Sequence, residues 1–389
     1  RQYKVNLSFL NGIYHPSLVT NGYYSAGELH KTITKDENHT SVSGTRHTTE
    51  EFKDKKGRTV LKRTYADSDI NGDGDTSDAG ESNVKHDTYY IYDKYDNLTY
   101  VLPPKTNSTS TTPNSSELIE LCYTYKYDTR NRLAEKRVPG KGWEYIVYDK
   151  MNHPVLTQDQ NLKTQNKWLF TKYDALGRIA YTGIISNSNS RSTLQTTLNN
   201  DSVIHEKKQL SSRNLGGTTI YYTNDAKPQT SISEIFTINY YGTYDNLNLG
   251  FTIPNYNSLG ENIVKGIGLR SLPTVNQVKV LETNQWITSV IGYDKEGRMV
   301  WKKTKNPYLG VTEVTEYDLD FAGTITESKT THKKTGENDI VVSDYYTYDH
   351  MKRLTRHTQS INGSTQEVIA ENTYNALGKL ISKGVGNSD

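Results

Sequence analysis

Apolar and polar residues alternate in short runs along most of the chain. "CYTYKYD", "EYIVYD", "VIGYD" and "YYTYD" each show the period-two pattern of a strand with one buried face. Each run is followed by a short polar phrase, and the alternation then resumes, as in "RLAEKRV" and "RIAYTGI". The phrase itself recurs. It reads "FKDKKGRTV" at Phe52, "YDKYDNLTYV" at Tyr92, "YDTRNRLAE" at Tyr127, "YDKMNHPVL" at Tyr148 and "YDALGRIAY" at Tyr173. It returns as "YDKEGRMVW" at Tyr293, "YDLDFAGTI" at Tyr317, "YDHMKRLTR" at Tyr348 and "YNALGKLIS" at Tyr374. Neighbouring copies mostly lie roughly 20–40 residues apart, the period of repeat architectures.

The residue types specify what each copy does. An Asp carboxylate accepts nearby backbone N–H groups in an Asx-turn. Three residues later stands a residue that tolerates positive φ: Gly57, Asp96, Asn131, Asn152, Gly177 and Gly297, with Gly378 in the copy where Asn375 replaces Asp. Lys352 breaks this rule, and the Tyr317 copy reads as a longer one with Gly323 displaced. The next residue is often arginine (Arg58, Arg132, Arg178, Arg298, Arg353), suited to pair with a carboxylate or to stack on a neighbouring Tyr. Each copy therefore predicts strand, tight turn, strand. A lone hairpin is marginal in water, whereas an array of them shares buried faces. The expected fold is all-β and antiparallel, with almost no helix beyond short turns.

Composition refines this. Only 33% of residues are hydrophobic, but there are 30 Tyr against 6 Phe. Tyrosine buries a ring while its hydroxyl keeps a polar partner, and it favours strands. A thin, extensive β-structure with tyrosine faces is expected in place of one deep aliphatic core. The net charge of +2, without a Lys/Arg block, argues against a nucleic-acid partner. No run approaches ~18 apolar residues, so membrane insertion by a helix is not expected. Cys122 stands alone, which excludes an internal disulfide and fits a small buried residue. The chain begins at Arg1, and we expect it to be a piece of a longer protein.

One stretch has the spacing of a cation loop. "DSDINGDGDTSDAGE" runs from Asp67 to Glu81. Asp69, Asn71, Asp73 and Asp75 place oxygen ligands at alternating positions around Gly74, as in the first half of an EF-hand loop, and Asp78 or Glu81 supplies a further carboxylate. The second half departs from that motif, with Gly80 at its twelfth position, and the flanks read as strands. Two readings stand: a Ca²⁺ site in a hairpin loop, or a solvated acidic loop. Repulsion among the carboxylates favours the cation.

Motifs of catalysis are absent. There is no HExxH, CxxC pair, G-x-S-x-G or P-loop. His30, His39 and His47 match no common zinc spacing. The repeated Asp residues suit turn capping better than paired-carboxylate hydrolysis. No enzyme is expected.

The repeated YDxxGR phrase with its flanking alternation resembles the YD repeat of RHS proteins, over Phe52–Gly183 and Tyr293–Asp389. Stretches such as "GYYSAGELHKTITKDENHT" and "VKVLETNQWITSVIGYDKEGRMVWKKT" also resemble RHS proteins of surface-exporting Gram-negative bacteria. The resemblance implies a β-sheet that spirals into a hollow shell around a C-terminal payload of the same chain, often a toxin. It implies an exported protein, extracellular or on the cell surface, with a type IX route and a secretion-machinery or surface partner as further expectations. An adhesion module holding glycans or a partner protein is the alternative. The chain divides into a repeat segment at 1–183, an irregular insertion or eroded repeats at 184–291, and a second repeat segment at 292–389. The core segment that follows such repeats in the family is not recognisable.

Overall fold

The computed structural model describes residues 1–389 except 41–43, 68–73, 76–79, 81, 107–111, 267, 270 and 387–389. It is 52% strand and 5% helix, as the alternation predicts. The chain forms two compact units, Arg1–Trp168 with Asn187–Asp201, and Leu169–Ser186 with Ser202–Asp389.

In the first unit, every strand from His30–Lys35 to Pro154–Gln158 pairs antiparallel with the next one in sequence. A separate hairpin, Tyr3–Leu10 with Ile13–Thr20, lies against this sheet. Tyr3 and Leu18 from it join Leu61, Tyr89, Ile91, Tyr100, Leu102 and Cys122 in one apolar cluster. The second unit repeats the scheme. Ile179–Ser186 pairs with Ile232–Tyr241, and the strands then follow in order to Leu380–Val385. The strands Lys208–Leu215 and Thr218–Tyr222 form a hairpin outside this sheet.

In such a meander, successive connections fall on opposite edges. The Asp turns of each unit therefore share one edge of its sheet, and the strand ends at Ala66, Val84, Leu102 and Tyr123 lie on the other.

Among the described residues the helices are short. They are α1 (Ser115–Glu120), α2 (Gln160–Thr164) and α3 (Arg191–Asn199). Asn114 caps α1 in a capping box with Glu117, and Leu118 and Leu121 pack on the apolar cluster beside Cys122. The tract "SNSNSRSTLQTTLNNDS" is not simply a looping insertion: it contains α3. Ser190 caps α3 by accepting the Thr193 amide at 3.2 Å, and Leu194 and Leu198, four residues apart, are its buried face. Two leucines in a polar tract fall below what periodicity reveals.

Candidate functional site

The repeated turn is the feature that dominates the molecule. At ten positions among the described residues, an Asp or Asn carbonyl accepts the amide three residues on, and its own amide donates to the carbonyl four residues on. These are Asp54, Asp93, Asp128, Asp149, Asp174, Asn257, Asp294, Asp320, Asp349 and Asn375. The residue three on always has positive φ, from +57° at Asn131 to +102° at Gly260. This is the three-residue hairpin loop with a bulge at the left-handed position, and the register shift beside most of these turns follows from it.

The side chain locks the turn. Asp174 Oδ1 accepts the amides of Leu176 at 2.9 Å and Arg178 at 3.0 Å, and Oδ2 accepts Arg178 Nε at 2.7 Å. Asp54, Asp128, Asp294 and Asp349 hold Arg58, Arg132, Arg298 and Arg353 in the same way. At Asp149 the partner is His153 Nδ1, at 3.0 Å.

The arginine then meets a tyrosine from the adjoining hairpin. Arg58 lies over Tyr92 at 4.7 Å, Arg132 over Tyr148 at 4.6 Å, Arg178 over Tyr241 at 3.8 Å and Arg353 over Tyr374 at 4.7 Å. The same tyrosine hydroxyls donate to the carbonyl just after each arginine: Tyr92 to Thr59, Tyr148 to Leu133, Tyr241 to Ile179 and Tyr374 to Leu354. Tyr127 and Tyr348 do the same for Leu98 and Ile325, after turns that lack arginine. In five copies, at Tyr92, Tyr127, Tyr148, Tyr348 and Tyr374, the Tyr of the phrase thus serves a neighbouring turn and the next residue serves its own.

Three details differ from the sequence reading. The Tyr317 copy is not longer. Its turn residue is Asp320, whose Oδ1 accepts the Thr324 amide at 2.9 Å, and Gly323 stands three residues on as elsewhere. Asp318 lies in a strand and accepts the Thr326 hydroxyl. Lys352 keeps the left-handed conformation, φ +61°, although its type is unsuited to it, and its Nζ pairs with Asp320. A further copy, "YNSLGE" at Tyr256, lies in the 184–291 block. Asn257 Oδ1 accepts the Leu259 and Glu261 amides at 3.0 and 2.9 Å.

Of the candidate calcium ligands, Asp69, Asn71, Asp73, Asp78 and Glu81 lie outside the described residues. Asp75 is exposed. Asp67, at the start of the loop, is engaged otherwise. Both its oxygens accept Arg46 Nη2, at 2.7 and 2.6 Å, and Oδ1 accepts the Asn83 amide at 2.8 Å. That amide and Arg46 hold its carboxyl below the usual range. The flanks Thr59–Ala66 and Val84–Tyr92 are strands, as read from the sequence.

Cys122 is fully buried and its thiol is pushed up to about 12 by burial, so it is no nucleophile. Two buried polar clusters were not foreseen. In the first unit, Arg191 of α3 donates to the Asn11 carbonyl at 2.9 Å and lies 3.5 Å from Glu135, on the wall of a cleft of about 570 Å³. In the second unit, Lys172 and Glu206 form an ion pair at 2.8 Å with neither side chain reaching solvent. The signal for it was in "KWLFTKYD": Lys172 has the same parity as the buried Trp168 and Phe170.

No family model and no curated protein matches the chain. Among solved structures it is similar to the crystal structure of TcdB2-TccC3, at 12% identity and a TM-score of 0.41, over 91% of this chain and 16% of that one. It is also similar to the Photorhabdus luminescens Tc holotoxin pore, at 13% identity and a TM-score of 0.35, over 87% of this chain and 15% of that one. The chain spans less than a fifth of the solved chains it matches. At these values neither likeness assigns a function.

Proposed function

We propose that this chain is a non-catalytic wall segment of an exported RHS-type repeat protein, and that the wall encloses a payload carried C-terminal to it. One observation carries the reading. The acidic groups that recur along the chain are consumed by the architecture: each Asp at an arginine turn gives one oxygen to backbone amides and the other to its own arginine. A hydrolase needs carboxylates free to exchange protons with substrate. Here they build an edge, and tyrosine hydroxyls tie six of these turns to a neighbouring strand. The repeat phrase that forms these turns is the one that resembles RHS proteins. Exposed tyrosines on such a wall need no ligand to explain them, because the repeat tyrosines already hold neighbouring hairpins together. No helix among the described residues is long and apolar enough to cross a membrane.

The test is protease protection of the natural-length protein. Under native conditions the C-terminal region should resist a protease that digests it rapidly after the wall is unfolded by denaturant. Digestion of that region at the same rate before and after denaturation would overturn the proposal.

A further inference from the structure

We propose that Lys172 and Asn224 become joined by an intramolecular isopeptide bond, with Glu206 moving the protons. Three segments of the second unit bring these residues together. Lys172 is on the buried face of the strand Lys167–Tyr173. Glu206 is held beside it by the bridge between Asp174 and Glu206, its amide donating to the Tyr173 carbonyl at 2.7 Å. Asn224 follows the strand Thr218–Tyr222 of the side hairpin.

The geometry is that of a reactant complex. Lys172 Nζ lies 2.5 Å from Asn224 Oδ1 and 2.8 Å from Glu206 Oε1, and its third donor meets the Ala226 carbonyl at 2.7 Å. The amine is thus against the amide it would attack, which removes most of the entropic barrier to a two-body reaction. Asn224 Nδ2 donates to the Gln229 carbonyl at 2.8 Å, which fixes the plane of the amide. The Tyr181 hydroxyl donates to the Thr223 carbonyl at 2.9 Å and stands 3.4 Å from Oδ1, a second acceptor within its reach. Glu206 is itself oriented: Oε2 accepts the Thr223 hydroxyl at 2.5 Å and the Asp225 amide at 2.9 Å. Lys172 and Glu206 are fully enclosed, and burial lowers the lysine's pKa despite its acidic partner.

The chemistry closes without a co-reactant. The Lys172 ammonium gives one proton to the Glu206 carboxylate and becomes a nucleophile. Its lone pair attacks Cγ of Asn224, forming the Nζ–Cγ bond as electrons move onto Oδ1. The tetrahedral adduct loses a proton from Nζ, and Nδ2 gains one through Glu206. The Cγ–Nδ2 bond breaks and ammonia leaves, taking the remaining transferred proton as ammonium. An ammonium, a carboxylate and a primary amide thus become a secondary amide, a carboxylate and an ammonium ion. The new bond ties the side hairpin to the sheet that carries the repeats. A crosslink of this kind narrows the unfolded ensemble as a disulfide does, in a chain whose only cysteine is Cys122. Unlike a disulfide, it survives reductant.

The experiment is mass spectrometry of the purified natural-length protein. The intact mass should be lower than the sequence mass by one ammonia, and proteolysis should yield a branched peptide containing both Lys172 and Asn224. Lys172→Met, Asn224→Ala and Glu206→Gln should each retain the full mass. An unmodified mass after prolonged incubation of the folded wild type would overturn the proposal, and would leave the cluster an ordinary buried ion pair. So would an ammonia loss that maps to cyclisation at an Asn-Gly step such as Asn11 or Asn362. Full linkage in folded Glu206→Gln would remove Glu206 from the reaction. The wild-type peptide map decides the bond itself whether or not the variants fold.

Discussion

At the scale of single residues, the turn depends on three groups with separate tasks: a carboxylate or amide oxygen, a left-handed position, and a tyrosine hydroxyl from next door. At Gly297, φ is +80° and a Cβ would meet only Leu272 Cδ1 at 3.4 Å, so a substitution is limited by the backbone and not by space. Gly297→Val should cost about 1–3 kcal/mol, whereas Gly297→Asn should be nearly neutral, because Asn131 and Asn152 already occupy the same conformation elsewhere. Denaturant unfolding of both variants checks the contrast. Tyr148→Phe removes the hydroxyl that caps the Leu133 carbonyl at 2.7 Å and should cost about 1 kcal/mol in the same assay. Acid should act through the turn carboxylates. The Lys352 ammonium and the Thr324 amide hold Asp320 down at about 2, and the backbone amide of Arg353 with its guanidinium lowers Asp349. A depressed folded pKa gives stability that is complete above the ordinary carboxylate value and lost as pH falls through the folded one. The melting temperature should therefore be flat above about pH 4 and decline toward about pH 2. Asp320→Asn should flatten that decline, and an unchanged slope would refute the assignment. Glycine and aspartate made most of these turns readable in the sequence. Asp320 was misread because Tyr317-Asp318 imitates the phrase two residues early. Lys352 looked like an exception because its conformation is imposed by the surrounding turn rather than by its own preference.

At the scale of elements, what the sequence concealed is the decoration on the sheets. Alternation announces a strand through many residues, but α3 rests on a cap and two leucines. Beside Arg191, a glutamine attaches it to the sheet: Gln195 accepts the Tyr148 amide at 3.0 Å and donates to the Tyr148 carbonyl at 2.7 Å. Gln195→Ala should cost about 1–2 kcal/mol by leaving both backbone groups without that partner, measured by denaturant unfolding. The eroded turn at Asn257 escaped notice because Asn replaces Asp and Glu261 replaces arginine, although "YNSLGE" closely parallels "YNALGK" at Tyr374. The acidic loop keeps its two readings, and calcium separates them. If Asp69, Asn71, Asp73 and Asp75 bind Ca²⁺, native-state binding should raise the melting temperature by mass action, chelator should reverse it, and Asp73→Ala should abolish the response. Identical melting in all conditions would leave a solvated loop.

At the scale of the whole molecule, tyrosine resolves the contradiction between a low apolar content and a folded chain. Tyr89, Tyr100, Tyr181, Tyr222, Tyr240 and Tyr293 are all buried, and Tyr222 and Tyr240 stack at 5.2 Å. Several of their hydroxyls satisfy strand carbonyls: Tyr100 that of Pro16, Tyr222 that of Asn239 and Tyr293 that of Pro273. Each of these three rings adds packing while its hydroxyl keeps a carbonyl partner. The period of the phrase made this fold class legible. Convergence of Lys172, Glu206 and Asn224 was not, because no local pattern records which distant segments meet.

The proposal that these sheets enclose a payload is tested most directly by a cryo-electron-microscopy map of the natural-length protein. The account predicts a hollow β-walled shell, with the Asp turns of residues 54–379 in its wall and separate density inside. A chain with no enclosed volume, or with its C-terminal region wholly outside the wall, would contradict it.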